Sequence, residues 1–286
     1  MPAPSPPSTS PLRALRRRAR ALLPPDRRVK PLGNARGRWK VQARKLLAPV
    51  AQRPVTITSR EGLRLELDTD PVDELVANDL LGRNRTLWFP DAPEGALPLV
   101  EPSLVLDLGA HHGFFAVAAL HRWPTARLIA VEPSGAGVAR IARNLALNGM
   151  SERVRIVQAA LADGPGWGRL HHTDEGSWGA SLFREEGATV LGEEPVRLDT
   201  LEGILAGEEP DAIKCNAEGA EFALIRALVA TGLRPEQLVV MVHPEFGDLD
   251  AAVADVERCG YVVRLAGTGR RPVIQAWLPA ANPTPG

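Results

Sequence analysis

From residue 103 onward the chain alternates short aliphatic runs with segments of helical periodicity, and this alternation restricts the fold more than any other feature. Parallel strands must be joined by crossover connections, so strand–helix–strand order selects a doubly wound α/β sheet with helices on both faces. Strands are expected at 104–108, 128–131, 154–159, 212–215, 238–242, 261–265 and 273–277, with helices at 114–122, 135–148, 217–230 and 249–258. The stretch 164–198 breaks the rhythm and reads as an inserted hairpin with strands at 168–172 and 195–198, before Asp199-Thr200 opens another helix. Upstream, 55–58 and 63–67 alternate at period two across Arg60-Glu61-Gly62, which predicts a hairpin. A helix from Asp70-Pro71 to about Leu81 and an irregular connection over 90–102 complete this part.

A neutral total of 34 basic and 34 acidic residues hides a division of charge. Residues 1–53 carry 14 basic and one acidic side chain, leaving 20 basic and 33 acidic for the rest. The expected organisation is a Pro/Arg-rich arm (1–53), a domain over 54–280 made of a hairpin-and-helix part (54–102) and a cofactor-binding sheet (103–280), and a tail (281–286). The Pro/Ser-rich segment 1–11 offers almost nothing to bury, whereas 12–23 and 39–50 have the spacing of short amphipathic helices. A solvated basic tail is the plainest reading of the arm; peripheral membrane contact, a nucleic-acid contact or a presequence are its functional alternatives. The acidic body repels phosphate, which argues against nucleic acid as the substrate. Cys215 and Cys259 form no CxxC pattern, Met1 to Leu23 has no apolar h-region, and the longest apolar run (104–120) is interrupted by Asp107, His111 and His112. A cytoplasmic, reducing setting is expected.

In open α/β sheets ligands sit beyond the carboxyl ends of the strands, where strand order reverses. Asp107-Leu108-Gly109, Glu132, Asn216 and His243 fall at such ends. The run Asp107-Leu108-Gly109-Ala110-His111-His112-Gly113 is a strand, a glycine turn and a helix start, but it is not the G-x-G-x-x-G of a pyrophosphate site. An acid two residues before the first glycine opposes phosphate and suits a cationic ligand. Glu132, 25 residues beyond Asp107, can accept hydrogen bonds from two ribose hydroxyls. A nucleoside with positive charge and no phosphate is S-adenosylmethionine. The bland alternatives are an ordinary glycine turn, a capping acid at Asp107 and an exposed strand end at Glu132.

The segments Asp107–Gly113, Val131-Glu132-Pro133, Asn144 to Gly149, Ala159 to Asp163, Ile213 to Glu221 and Val242-His243-Pro244 resemble, in order, the motifs of FkbM-type methyltransferases, over roughly residues 55–278. The resemblance implies a Rossmann-like class I methyltransferase fold with an antiparallel last strand, S-adenosylmethionine as donor, and O-methylation of a small-molecule or glycan acceptor such as a sugar or secondary metabolite. It implies that Asp107, Gly109, His111, Gly113, Glu132 and Ala160 bind the cofactor, and it brings Glu218 into the site. Gly176 to Leu182 matches the family's Ser-rich loop. Two positions depart from the family: His111 replaces the usual Asn and Asn216 the usual Asp. Asn cannot act as a base and is a weaker metal ligand than carboxylate.

The expected catalytic set is His243, Asn216 and Glu218. A histidine at the end of the fifth strand can take a hydroxyl proton near neutral pH, the rival role being that of a positioning residue. Glu218 and Glu221, at helical spacing, can equally be favourable acids at a helix N-terminus. His111-His112, His121 and His171-His172 show no metal-ligand spacing, so no metal site is expected. The sequence lacks a Gly-x-Ser-x-Gly elbow and a Gly-Lys-Ser/Thr loop, which removes the commonest hydrolase and triphosphatase readings. Two competing functions remain: an interaction module that keeps the cofactor but has lost catalysis, and a nucleic-acid methyltransferase that uses the arm.

Overall fold

A computed structural model of the chain describes residues 54–67, 73, 76–77, 80–82, 85–173, 181–183, 190–267 and 271–280. The arm, most of the Ser-rich loop and the tail lie outside the described residues. Along the chain run β1 (Val55–Thr58), β2 (Arg64–Leu67), α1 (Arg85–Trp88), β3 (Leu104–Leu108), α2 (Phe114–Arg122), β4 (Arg127–Val131), α3 (Gly135–Leu147), β5 (Val154–Val157), β6 (Ala160–Leu161), β7 (Gly166–Thr173) and β8 (Val190–Asp199). They are followed by α4 (Leu201–Leu205), β9 (Ala212–Cys215), α5 (Glu221–Thr231), β10 (Gln237–Met241), α6 (Leu249–Arg258), β11 (Val262–Ala266) and β12 (Val273–Trp277).

Seven strands form one sheet in the order β11-β12-β10-β9-β3-β4-β5. It is parallel from β10 through β5, while β12 runs antiparallel between β10 and β11. Strand order reverses between β3 and β9. Continuous apolar runs suit strands covered on both sides; every residue of β3, β9 and β12 is buried. One core layer packs Phe114, Phe115, Leu120 and Ile141 against the hairpin residues Ile57 and Leu65, and the other packs Leu224, Leu228 and Val256.

Three departures from the periodicity exceed one residue, each for a local reason. β5 stops at Val157 because the chain leaves the main sheet, and β6 pairs with β8 instead. The β7/β8 hairpin extends beyond 168–172 and 195–198 because pairing continues through exposed residues that carry no apolar alternation. α5 starts at Glu221 rather than 217 because Glu218 (φ 45°) and Gly219 (φ 105°) are left-handed and cannot continue a helix.

The hairpin β1/β2 docks on α3 through two amides. Asn144 Oδ1 accepts from the Glu66 N–H (2.6 Å) and Asn148 Oδ1 from the Arg64 N–H (2.9 Å), replacing a neighbouring strand along β2. Asn144 Nδ2 also donates to the His112 carbonyl at 2.8 Å, which ties the hairpin's support to the loop after β3.

Candidate cofactor and acceptor site

The loops after β3 and β9 touch at Gly109 and Asn216. A Cβ on Gly109 (φ +72°) would lie 2.0 Å from the Asn216 carbonyl oxygen, and the Asn216 N–H donates to Leu108 O at 3.0 Å. Gly113 (φ +76°) caps α2 where a Cβ would approach Ile141 Cα to 3.2 Å. Both glycines are therefore required by backbone conformation and close packing, whatever they do for a ligand.

Asp107 is wholly buried, and Lys214 Nζ donates to its Oδ1 at 2.8 Å and to the Gly109 carbonyl at 2.8 Å. Burial pushes the Asp107 carboxyl above its ordinary range, against the charge and hydrogen bond of Lys214. The acid thus has a cation of its own, so it anchors the loop and a cationic ligand would share it with Lys214. Lys214 was missed by sequence reasoning, although a lysine inside an otherwise apolar central strand was the signal for it.

Glu132, at the end of β4, turns back under this loop. Its Oε2 accepts from the His111 N–H (2.8 Å) and its Oε1 from the Ser134 N–H (2.9 Å). Burial raises its pKa to about 7, against these two backbone hydrogen bonds. Each carboxylate oxygen keeps a lone pair for a further donor. Gly137, another residue without a role in the sequence reading, makes the room: a Cβ there would stand 2.7 Å from Glu132 Cγ. Ala160, three residues past the end of β5, is buried in β6.

His111 is left-handed (φ 52°), and its ring stacks on that of His112 with centroids 3.8 Å apart. Burial lowers its pKa to about 3, with His112 adding to the effect, so the ring is neutral. Among the described residues, both His111 ring nitrogens, Asp107 Oδ2 and Asn216 Oδ1 are buried without a hydrogen-bond partner. Orphaned polar atoms are costly in a protein interior. These four lie at the end of β3 or on the loops after β3 and β9, at the reversal of strand order.

Glu218, Glu221 and His243 meet beside them. Glu221 Oε1 accepts from the His243 N–H (2.7 Å) and lies 2.9 Å from His243 Nδ1, while Glu221 Oε2 accepts from the Gly219 N–H (2.7 Å). Glu218 Oε2 stands 3.2 Å from His243 Nε2. Burial alone would lower the His243 pKa; the two carboxylates outweigh it and raise it to about 9. The imidazole is therefore charged at neutral pH and fully covered, whereas the Glu218 side chain is 23% exposed. Ser181 Oγ donates to the Glu218 carbonyl (2.8 Å), and Phe183 packs over Gly219 against Phe246. Of the expected residues, the structure joins Gly109 to Asn216, His111 to Glu132, and Glu218 to His243. Glu221, read beforehand as an acid at a helix start, is the buried hinge of the last pair.

The Methyltransferase FkbM domain matches residues 107–263. A search of curated proteins gave no match. Among solved structures, the chain is similar to methyltransferase FkbM from Methylobacillus flagellatus KT (13% identity, TM-score 0.43), with 72% of this chain and 54% of that one covered. It is also similar to an S-adenosylmethionine-dependent O-methyltransferase from Thermotoga maritima (11% identity, TM-score 0.43, covering 80% and 79%). A third is the ribosomal protein L11 methylase from Lactobacillus delbrueckii subsp. bulgaricus (14% identity, TM-score 0.39, covering 64% and 73%).

Proposed function

The chain belongs to the FkbM-domain methyltransferases, and within that family we propose that it methylates a hydroxyl oxygen of a small-molecule or glycan acceptor, using S-adenosylmethionine. The observation that carries this reading is the combination of Glu132, a carboxylate with lone pairs to spare at the end of β4, with the Glu218–His243 ion pair beyond β9 and β10, on the other side of β3. The orphaned Asp107 Oδ2 and Asn216 Oδ1 fit a polar, phosphate-free cofactor between those groups.

Glu132 would hold the ribose hydroxyls, and the loop Gly109–Gly113 with His111 would border the methionine part. Ala160, buried past β5, is proposed to border the adenine. When bound, S-adenosylmethionine supplies an electrophilic methyl carbon and a neutral thioether leaving group. The chain's remaining work is alignment and removal of one proton. Exposure supports Glu218 as the acceptor of that proton, because His243 is covered and already carries its own. His243 is then a positioning residue: its imidazolium aims Glu218, and Glu221 aims the imidazolium. Asn216 donates or accepts one hydrogen bond to the acceptor.

Transfer of labelled methyl groups to a panel of sugars and hydroxylated metabolites tests the reading. With an active acceptor, Glu218→Gln is expected to lower kcat by roughly 10²–10⁴-fold, the usual range for a general base, with cofactor affinity kept. Absence of cofactor binding to folded protein would remove the proposal. Turnover confined to Asn216→Asp would instead favour the interaction module, which Asn216 motivates.

A further inference from the structure

Asp73, to which the sequence gives no role, reaches the loop after β3 from 39 positions upstream of His112. We propose that Asp73, His111 and His112 form a binding site for a divalent transition-metal ion of the zinc class. One ligand-capable atom from each residue lies within 4.8 Å of the others. His112 Nδ1 is 2.8 Å and His111 Nε2 3.9 Å from Asp73 Oδ1. Ligand atoms held about 2.0–2.2 Å from one ion stand roughly 3–3.5 Å apart, a spacing that these two distances bracket. Small side-chain rotations, with the stacked rings splaying apart, would close the set.

A second observation is independent of the spacing. The chain puts a non-glycine residue in the left-handed region at His111 (φ 52°) and covers both of its ring nitrogens without giving either a hydrogen bond among the described residues. Such an arrangement is unfavourable unless something accepts the ring's lone pair. Asp73 is entirely buried, and Asn144 Nδ2 holds the His112 carbonyl at 2.8 Å, so the ligands are fixed from behind. Two imidazoles and one carboxylate select zinc, cobalt or nickel over magnesium and calcium, which prefer oxygen sets. Three protein ligands leave a coordination position open. The histidines alone showed no metal spacing because the third ligand is remote in sequence. A bound ion would pin Asp73 to the cofactor loop.

The test is cobalt(II) binding by the full-length protein, freed of metal with a chelator and carrying no histidine tag. Because it needs neither cofactor nor acceptor, its result is separate from that of the methyl-transfer reading. One equivalent is expected to bind, with visible absorption bands and two exchangeable, paramagnetically shifted imidazole N–H resonances. Asp73→Asn and His112→Gln should each weaken binding by more than the roughly 10–100-fold that loss of a supporting hydrogen bond to a ligand costs. Replacing His171 and His172, which lie beside Glu193 and Glu194 on the hairpin, should leave binding in place. No stoichiometric uptake, uptake unchanged in both Asp73→Asn and His112→Gln, or loss of uptake in the His171/His172 variant would overturn the proposal. If the variants do not fold, the wild-type spectrum decides: shifted resonances from two imidazoles support the site, and their absence refutes it.

Discussion

Holding His243 between Glu218 and Glu221 makes stability depend on pH in a way that can be computed. The imidazole pKa rises from an ordinary 6.5 to about 9 in the folded chain, which corresponds to about 3 kcal/mol at roughly 1.4 kcal/mol per pH unit. Because the folded value lies above the unfolded one, this contribution is complete below pH 6.5 and is lost as pH climbs through about 9. Glu221→Gln removes one of the two charges that sustain it. The amide must also present its NH₂ either to the Gly219 N–H or to the His243 side, so one buried hydrogen bond is lost, a pH-independent cost of about 1–3 kcal/mol. Urea unfolding of both proteins from about pH 6 to pH 10 separates the two effects. The wild-type advantage over Glu221→Gln should be largest at the acid end and narrow by up to about 3 kcal/mol toward the alkaline end. Titration of the ring nitrogens by nuclear magnetic resonance should place the wild-type midpoint near 9 and the variant's well below it. An advantage that stays constant across the range, or a wild-type ring that titrates at or below 6.5, would refute the assignment of His243 as an imidazolium.

Lys214→Met should destabilise the fold by about 3–5 kcal/mol, since it strands the Asp107 carboxylate in the interior; adding Asp107→Asn should recover much of that loss, as measured by denaturant midpoints. Gly109→Ala forces a Cβ to 2.0 Å from the Asn216 carbonyl and is expected to give insoluble protein or a loss of thermal stability larger than the same change at Gly149, where the space is open. Glu132→Ala should weaken S-adenosylmethionine binding by roughly tenfold or more, because a hydrogen bond to a charged group contributes about 1.5–3 kcal/mol; calorimetry showing wild-type affinity would take Glu132 out of the site.

The parts of the fold that could be read from the sequence are those where burial alone decides the residue type. Leu104–Leu108, Ala212–Cys215 and Val273–Trp277 are covered on both faces, so each is apolar but for one polar residue (Asp107, Lys214 and Gln275), and their observed limits coincide with the expected ones. Phe114–Arg122 and Leu249–Arg258 likewise begin and end where expected. Periodicity fails where the backbone is governed by something other than burial. The outer half of Val190–Asp199 is held by pairing with β7 while its side chains face solvent. The start of Glu221–Thr231 is set by the left-handed pair before it, which Glu218 gave no reason to expect.

At the site, residue types announced themselves only where the chemistry is local. Glu132 at a strand end was visible; Lys214, Glu221, Gly137 and Asp73 were not, because each matters through a partner brought near by folding. Asp107 and Lys214 are 107 positions apart, and Glu221 and His243 are 22 apart. The spacing Asp107…Gly109…Gly113 invited a ligand-centred explanation, yet the carbonyl of Asn216 and the helix at Ile141 already demand both glycines. A pattern that the fold itself requires cannot discriminate between a bound and an empty site. The weight of the cofactor assignment therefore moves from the glycines to Glu132 and to the orphaned Asn216 Oδ1 and Asp107 Oδ2, which internal packing leaves unexplained.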